Sequence, residues 1–171
     1  MTKKMISPIQ KVQIRLRLLK ESDLPITLKW RNQDHIRKWF IHPEIISQEQ
    51  HQTWFEEYLK RDNDYVFIIE EIQNFRKPVG QISLYNINWL GKCAELGRLM
   101  IGEPETIGKG LAKKATELLV EFAFKQFHLT EIYLEVFKNN SPAIAIYRKC
   151  KFDYFEEYQN LVIMKLFNSG I

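Results

Sequence analysis

The chain has 171 residues, of which 45% are hydrophobic, and a net charge of +4. This length favours one domain with a sizeable core, and a small charge excess without any basic block gives no support for a nucleic-acid partner. No apolar run approaches the roughly 18 residues of a membrane span, and the basic start is not followed by the apolar segment of a signal peptide. We therefore expect a cytoplasmic protein without a membrane partner.

The sequence contains two cysteines, Cys93 and Cys150. Without an export signal, thiols that lie far apart in sequence are more often reduced than paired. Neither belongs to a cluster with the spacing of metal ligands. We predict reduced thiols and no metal site.

The first third predicts one strand and two helices. Apolar and charged residues alternate over residues 13–19, which is the pattern of a strand. Ser22 or Asp23 is expected to cap a short helix that runs towards Trp30. Ser47 is followed three residues later by Gln50, and this capping-box spacing predicts the start of a second helix.

The middle of the chain predicts three consecutive strands. The segments 65–69, 79–85 and 93–101 are apolar or alternating and are joined by short polar links. Neighbouring strands with short links pair most simply as an antiparallel meander.

The second half predicts two helices and three further strands. In chain order these are a helix over 111–127, a strand over 130–137, a helix from Ser141 and Pro142 to about 150, and a hairpin over 152–158 and 161–167. The whole order is β-α-α-β-β-β-α-β-α-β-β. It indicates a single α+β domain over 1–171, with its core at 10–167 and a mixed sheet. The strand–helix–strand unit in its centre should be a right-handed crossover with parallel strands.

A glycine-containing turn leads directly into the long helix. Gly108 and Gly110 lie between the strand that ends near Ile101 and the helix that starts near Leu111. The first amides of a helix have no intrahelical partner, and glycine lets the backbone approach a ligand closely. Such a turn binds a pyrophosphate well, with Lys109 and Lys113 adding positive charge. An ordinary strand-to-helix turn is the alternative.

Tyr147 is the candidate proton donor. It lies in the helix that follows two asparagines at the end of a strand, on the same face as Ala143 and Cys150. A phenol and a thiol have pKa values of about 10 and 8.5, so a tyrosine can protonate a leaving thiolate in a dry cleft. A core tyrosine without any catalytic role is the alternative.

These two segments together resemble the GNAT superfamily of N-acetyltransferases. The segments are the glycine turn with its helix and the stretch Asn139-Asn-Ser-Pro-Ala-Ile-Ala-Ile-Tyr147, and the resemblance extends over nearly the whole chain. It implies acetyl-CoA as co-substrate and Tyr147 as general acid. It also implies cofactor binding by the strand end, by the turn and by an asparagine after the next strand. The corresponding residues are Leu99, Met100, Ile101, Ile107, Gly108, Lys109, Gly110, Leu111, Ala112 and Asn139.

One residue of the turn departs from the family pattern. Three residues before the first glycine, where the family usually has Gln or Arg, this chain has Glu105. Because a carboxylate beside a pyrophosphate is unfavourable, we expect Glu105 to point to solvent while backbone amides bind the cofactor.

The amine must lose a proton before it attacks a thioester, so a base is expected. Glu95, on the strand that leads into the turn, is the first candidate, with Glu135 and His51 as further candidates. A solvated carboxylate, or an ion pair with Arg98, is the structural alternative for Glu95.

The first third of the chain resembles the branch of the family that acts on nucleotide-linked amino sugars. Arg31 is then expected to pair with a diphosphate, and Trp54 or Tyr85 to stack on a base or sugar, with His51 nearby. An aromatic subcore with solvated arginines is the alternative. We therefore predict a small-molecule amine as the acceptor, and specifically the amino group of a nucleotide-linked amino sugar.

Other acceptors and another function remain open at this stage. A protein N-terminus (as in the ribosomal-protein branch), a polyamine or an antibiotic amine fits the same chemistry, and a non-catalytic CoA-binding module is the alternative function. Assembly as a homodimer is also left open.

Overall fold

A computed structural model describes residues 2–170. Within them the chain forms eight strands and five α-helices. The strands are β1 (Ile9–Lys11), β2 (Ile14–Leu18), β3 (Tyr65–Glu71), β4 (Lys77–Asn88), β5 (Cys93–Ile101), β6 (Glu131–Phe137), β7 (Asp153–Tyr158) and β8 (Leu161–Phe167). The helices are α1 (Leu24–Arg31), α2 (Asp34–Arg37), α3 (Gln48–Leu59), α4 (Leu111–Gln126) and α5 (Ser141–Lys149).

All eight strands belong to one mixed sheet in the order β1-β2-β3-β4-β5-β6-β8-β7. Strands β3, β4 and β5 pair as an antiparallel meander, and β5 and β6, joined through α4, are parallel. Both predictions of pairing are confirmed. The predicted α+β fold with a mixed sheet flanked by helices is confirmed as well.

The structure adds two short elements to the predicted order. Strand β1 pairs antiparallel with β2, and α2 occupies the aromatic and arginine-rich stretch after α1. Strand β1 has three residues and α2 has four, which is too few for a repeating apolar pattern to be recognised in the sequence.

The predicted N-cap is confirmed at α3, whereas at α5 the N-cap lies one residue before the predicted one. The Ser47 side chain accepts a hydrogen bond from the Gln50 amide (3.1 Å), while Gln50 Oε1 accepts one from the Ser47 amide (2.8 Å), so the predicted capping box is present. At α5 the predicted cap, Ser141, is wrong by one residue. Asn140 is the N-cap, because its side-chain oxygen accepts from the Ala143 amide (3.3 Å).

The core lies between the sheet and α4. Helix α4 buries a stripe that includes Leu111, Ala115 and Leu119 against inward-facing residues of the central strands. Tyr147 and Phe152 extend this core towards α5. The α1–α3 region has its own smaller apolar clusters on the other side of the sheet, so it can vary without disturbing the main core.

Strands β5 and β6 separate halfway along their length. Their parallel register covers only three pairs, the last of which joins Glu95 and Tyr133. Strand β5 then continues to Ile101 and β6 to Phe137 without further pairing to each other, while each stays paired with its other neighbour, β4 or β8. A cleft therefore opens in the middle of the sheet.

Two left-handed residues redirect side chains towards this cleft. Asn86 in β4 has φ 48° and Arg98 in β5 has φ 50°, and the register of the β4–β5 pair shifts near both. A regular strand points successive side chains to opposite faces. The bulge at Asn86 instead lets both Tyr85 and Asn86 reach Glu95.

Helix α1 docks on the end of β5 through Trp30. The Trp30 ring is fully buried and its Nε1 donates a hydrogen bond to Glu103 (2.9 Å). A Cβ atom at Gly102 would lie 2.0 Å from Cγ of that ring. The absence of a side chain at residue 102 thus allows α1 to lie against the cleft.

We expect Gly102→Ala to lower the free energy of unfolding by about 1–3 kcal/mol, because the added methyl group overlaps the buried Trp30 ring. Urea denaturation measures the change. Gly91→Ala is the matched control, since its Cβ would meet only the end of the exposed Asn88 side chain, at 2.9 Å. Equal stability of the two variants would contradict the proposed packing.

Candidate active site

The cleft between β5 and β6 opens into a cavity of about 620 Å³. Its walls come from both separated strands, from the start of α4, from α5 and from the segment after α1. The lining includes the predicted residues Arg31, Tyr85, Glu95, Leu99, Met100, Ile101, Ile107, Ala112 and Tyr147. The two halves of the chain therefore meet at one site.

The glycine turn lies beside this cavity and has the conformation expected of it. Gly108 and Gly110 have φ values of 77° and 76°, and Gly110 is the N-cap of α4 without a side-chain capping bond. A Cβ atom at either glycine would meet nothing within 4 Å. The turn thus requires glycine for its backbone handedness and leaves open space in front of the helix amides.

Charges around the turn suit a pyrophosphate. Glu105 is exposed, as expected, and forms an ion pair with Lys77. The first turn of α4 contains no acidic residue. Lys113 pairs with Glu117 (2.6 Å), whereas Lys109 has no ion-pair partner among residues 2–170. Free amides, open space and a free lysine at a helix N-terminus fit the diphosphate of CoA.

Tyr147 lines the main cavity from α5. Its side chain is buried and its ring packs edge-on against Phe152, with 6.0 Å between centroids. Burial, and then the nearby Cys150, raise the pKa of Tyr147 above its usual value, so the phenol keeps its proton at neutral pH. Its hydroxyl has no hydrogen-bond partner within the described part of the chain and is free to donate to a ligand.

Glu95 is held by two donors from β4. The Tyr85 hydroxyl donates to Oε1 at 2.8 Å and Asn86 Nδ2 donates to Oε2 at 2.9 Å. Burial, and then the Glu95 charge, raise the pKa of Tyr85, which therefore remains a neutral donor. The Tyr85 hydroxyl lies so close to Gly97 that a Cβ there would be 2.8 Å away, which explains the glycine at that position.

Arg98, which sequence reasoning considered as a partner of Glu95, pairs with a different carboxylate. Its two terminal nitrogens contact Asp64 at 2.7 and 3.1 Å, and its guanidinium lies 4.1 Å from the Tyr85 ring centroid. The left-handed backbone of Arg98 turns it in this direction. No sequence signal marks a left-handed arginine within a strand, so this residue was missed as part of the site.

A second cavity of about 520 Å³ adjoins the first. It contains His51 and Trp54, and both cavities share the lining residues Arg31, Phe40, His42, Arg98 and Met100. Trp54 stacks between His51 and Tyr58, with 5.4 Å between the centroids of each pair. The predicted acceptor residues Arg31, His51 and Trp54 thus line the second cavity, whose lining includes no residue of the glycine turn or of α4.

Arg31 is buried where the two cavities meet. Its exposed fraction is 8%, one terminal nitrogen donates to the His42 carbonyl at 2.5 Å, and the guanidinium lies 4.2 Å from the Phe40 ring centroid. The other terminal nitrogen, Nη1, is buried without a hydrogen-bond partner. A buried charged donor without a partner is unfavourable, so a ligand group that accepts from it would stabilise the site.

His51 is neutral and held in one orientation. Its Nε2 is 2.9 Å from Thr27 Oγ1, and the Thr27 hydroxyl donates to the carbonyl of Asp23 or Leu24. In the tautomer that fits this arrangement, Nε2 carries the hydrogen and Nδ1 is an acceptor. Burial, and then the charge of Arg31, lower the pKa of His51.

Some predicted cofactor residues lie outside the cavity lining. The Leu111 side chain is buried in the core. Asn139 lines a smaller cavity with Trp39 and Asn160, whereas its neighbour Asn140 lines the main one. These positions leave the binding roles of Leu111 and Asn139 as predictions.

The described residues offer neither a metal site nor a membrane span. Among residues 2–170, no group of three or more His, Cys, Asp or Glu side chains is arranged to hold a metal ion. Over the same residues, no helix has both the length and the apolar character needed to cross a membrane.

Comparison with known proteins identifies relatives along most of the chain. The family described as Acetyltransferase (GNAT) domain matches residues 13–153. Spermidine N(1)-acetyltransferase from Escherichia coli K12 is 29% identical over 165 residues, which covers 90% of this chain and 86% of the relative. The enzyme of the same name from Vibrio cholerae is 26% identical over 140 residues, covering 82% and 79%.

A solved structure has the same fold. Spermidine N-acetyltransferase from Vibrio cholerae, in complex with CoA and spermine, superposes with a TM-score of 0.82 and 24% identity over 92% of this chain and 96% of that one. These relatives do not support the amino-sugar or ribosomal-protein branch suggested by the sequence. The glycine turn, the divided sheet and the family match lead to one conclusion: the chain belongs to the GNAT acetyltransferase family and is an N-acetyltransferase that uses acetyl-CoA.

Proposed function

We propose that the enzyme acetylates the primary amine of a small molecule that also carries an anionic group, such as a nucleotide-linked amino sugar. The observation that carries this proposal is the buried, unpartnered Nη1 of Arg31 at the junction of the two cavities. A phosphate or carboxylate can accept from this nitrogen and neutralise the guanidinium. The amine of the acceptor molecule would then lie towards Glu95 in the main cavity.

The residues of the main cavity suit acetyl transfer. When bound, acetyl-CoA supplies an acetyl group that is activated as a thioester. The separated β5 segment, Leu99 to Ile101, would hold the pantetheine arm, and the glycine turn with the α4 amides would bind the pyrophosphate. The Tyr147 hydroxyl would donate its proton to the departing sulfur, and a carboxylate of the cavity would accept the proton of the amine.

The residues of the second cavity suit recognition of the rest of the acceptor. His51 Nδ1 is an acceptor for a hydroxyl or an amide, and the Trp54 ring is large enough to contact a sugar or a base. A carboxylate-lined groove for a peptide is absent from this lining, in which Glu44 is the one acidic side chain.

A polyamine is the second candidate, and it is the acceptor that the relatives favour. Both curated relatives described above are named spermidine acetyltransferases, and polyamine was among the acceptors left open by the sequence. Glu44, Glu95 and Glu135 would have to compensate its ammonium groups. Against this candidate, a polycation that extends past the buried Arg31 meets a like charge.

An acetyl-CoA thiol-release assay across four acceptor classes tests the proposal. The panel contains amino-sugar nucleotides, spermidine and spermine, aminoglycosides and short peptides. We expect the highest kcat/KM for an amine that bears phosphate. A preference for spermidine would reject the anionic acceptor and establish the polyamine.

We expect Arg31→Met to raise KM for an anionic acceptor roughly 10- to 100-fold, because it removes a charge-assisted hydrogen bond. KM for acetyl-CoA should stay within about twofold, since the cofactor turn lies at the other end of the site. Steady-state kinetics with each substrate varied in turn measure both values. Arg31→Lys should recover part of the loss. Arg37→Met, at a half-buried arginine that pairs with Asp34 and lines neither cavity, is the matched control. A lower KM for the acceptor in Arg31→Met would indicate a cationic substrate.

We expect Tyr147→Phe to lower kcat roughly 10- to 1,000-fold with little change in acetyl-CoA affinity, because the phenyl ring keeps the packing against Phe152 but cannot donate a proton. Calorimetric titration with CoA measures affinity, and a rate assay measures turnover. Tyr154→Phe, at an exposed position on β7, is the control. Wild-type turnover in Tyr147→Phe would remove this residue from the mechanism.

A further inference from the structure

Two carboxylates line the cleft from its opposite strands. Glu95 lies on β5 at the last parallel pair, with Tyr133 as its partner on β6. Glu135 follows Tyr133 by two residues, so it lies on the same face of β6 just beyond the point where the strands separate. Both line the main cavity, which also contains Tyr147. They differ in whether their oxygens already accept hydrogen bonds from other side chains.

Glu95 already uses both of its oxygens. Tyr85 and Asn86 donate to them at 2.8 and 2.9 Å. A proton taken up by Glu95 would displace at least one of these donors. Glu95 is therefore suited to hold the two side chains in place through its two oxygens.

Glu135 has no such partner. No hydrogen bond or ion pair to its side chain occurs within residues 2–170, and it is exposed to the cleft. Its pairing partner across the sheet, Ile163 on β8, offers no polar group. Both oxygens of Glu135 are consequently free to contact an incoming ammonium.

The charges around Glu135 come from several elements. Besides Glu95 and Tyr85, the ionisable side chains that line the same cavity are Arg31, His35, His42, Arg98 and Tyr147. Arg98 is neutralised by Asp64 at 2.7 Å. Burial, and next the charge of Glu95, raise the pKa of Glu135 above its usual value.

We propose that Glu135 is the group that accepts the proton of the acceptor ammonium, and that Glu95 is a positioning residue that acts through Tyr85 and Asn86. This assignment rests on the proposed transfer to an amine, but it does not depend on which amine is used. In the step, an N–H bond of the ammonium breaks and an O–H bond forms on a Glu135 carboxylate oxygen. The nitrogen keeps the electron pair with which it attacks. The proton that the sulfur receives comes separately, from Tyr147.

The position of Glu95 makes the proposed base more effective. Its fixed negative charge disfavours a second charge nearby and so raises the proton affinity of Glu135. A carboxyl whose pKa is closer to neutral is a better general base at neutral pH. Glu95 is thus engaged by its two donors, and its charge raises the proton affinity of Glu135.

The dependence of kcat/KM on pH tests the proposal, with the acceptor that the panel turns over. For the wild type we expect kcat/KM to rise with pH as Glu135 loses its proton. Glu135→Gln should lower kcat/KM at neutral pH by about 100-fold or more and abolish this rise, with an unchanged CoA dissociation constant. Glu135→Asp should restore part of the rate and keep the rise.

Glu95→Gln distinguishes the two carboxylates. Because it removes the charge that raises the pKa of Glu135, the rise in kcat/KM should persist and move to lower pH. Glu131→Gln, on the same face of β6 but paired with Lys165 at 2.9 Å, is the matched control and should keep the wild-type profile. If Glu95→Gln abolishes the rise while Glu135→Gln only displaces it, Glu95 is the base and the proposal is wrong. A wild-type profile in both variants would overturn it as well, in favour of water.

Discussion

The end of pairing between β5 and β6 is the constraint on which the rest of the site depends. Up to Glu95 and Tyr133 the two strands are ordinary parallel neighbours, and beyond them the sheet divides. Backbone groups that lose a ladder partner need another one, and an extended cofactor arm can supply it. The same division exposes the inward faces of both strands, so carboxylates and a tyrosine from distant parts of the chain line one cavity.

The two ends of the cavity are built by different means. The cofactor end consists of backbone, with a left-handed turn and the uncapped start of α4. The acceptor end consists of side chains carried by short helices, which are fixed to the sheet through Trp30 and Gly102. A ligand that is bound by backbone groups can still be bound when the sequence changes, whereas a ligand that is bound by side chains depends on the identity of those residues. This difference explains why the cofactor follows from family membership while the acceptor must be argued from Arg31 and its neighbours.

The sequence predicted the features that depend on local chemistry. Strand alternation, the Ser47 capping box and the glycine turn were all identified, because each is encoded within a few residues. The left-handed backbone at Asn86 and Arg98 could not be predicted, since it depends on how two strands pair. The pairing of Arg98 with Asp64 rather than Glu95 was missed for the same reason, and so was the unpartnered nitrogen of Arg31. These features depend on contacts between separate strands and helices, which a local sequence pattern does not encode.

The open space in front of Gly108 and Gly110 has a consequence for chirality. Nothing within 4 Å would obstruct a methyl group at either position, so only the positive φ disfavours an L-residue there, by roughly 1–2 kcal/mol each. A D-amino acid adopts that conformation naturally. D-alanine at both positions would therefore satisfy the backbone angles of the turn, and the unfolded chain would have fewer conformations to lose than glycine allows. What the fold demands of this turn is its handedness rather than the smallness of its residues.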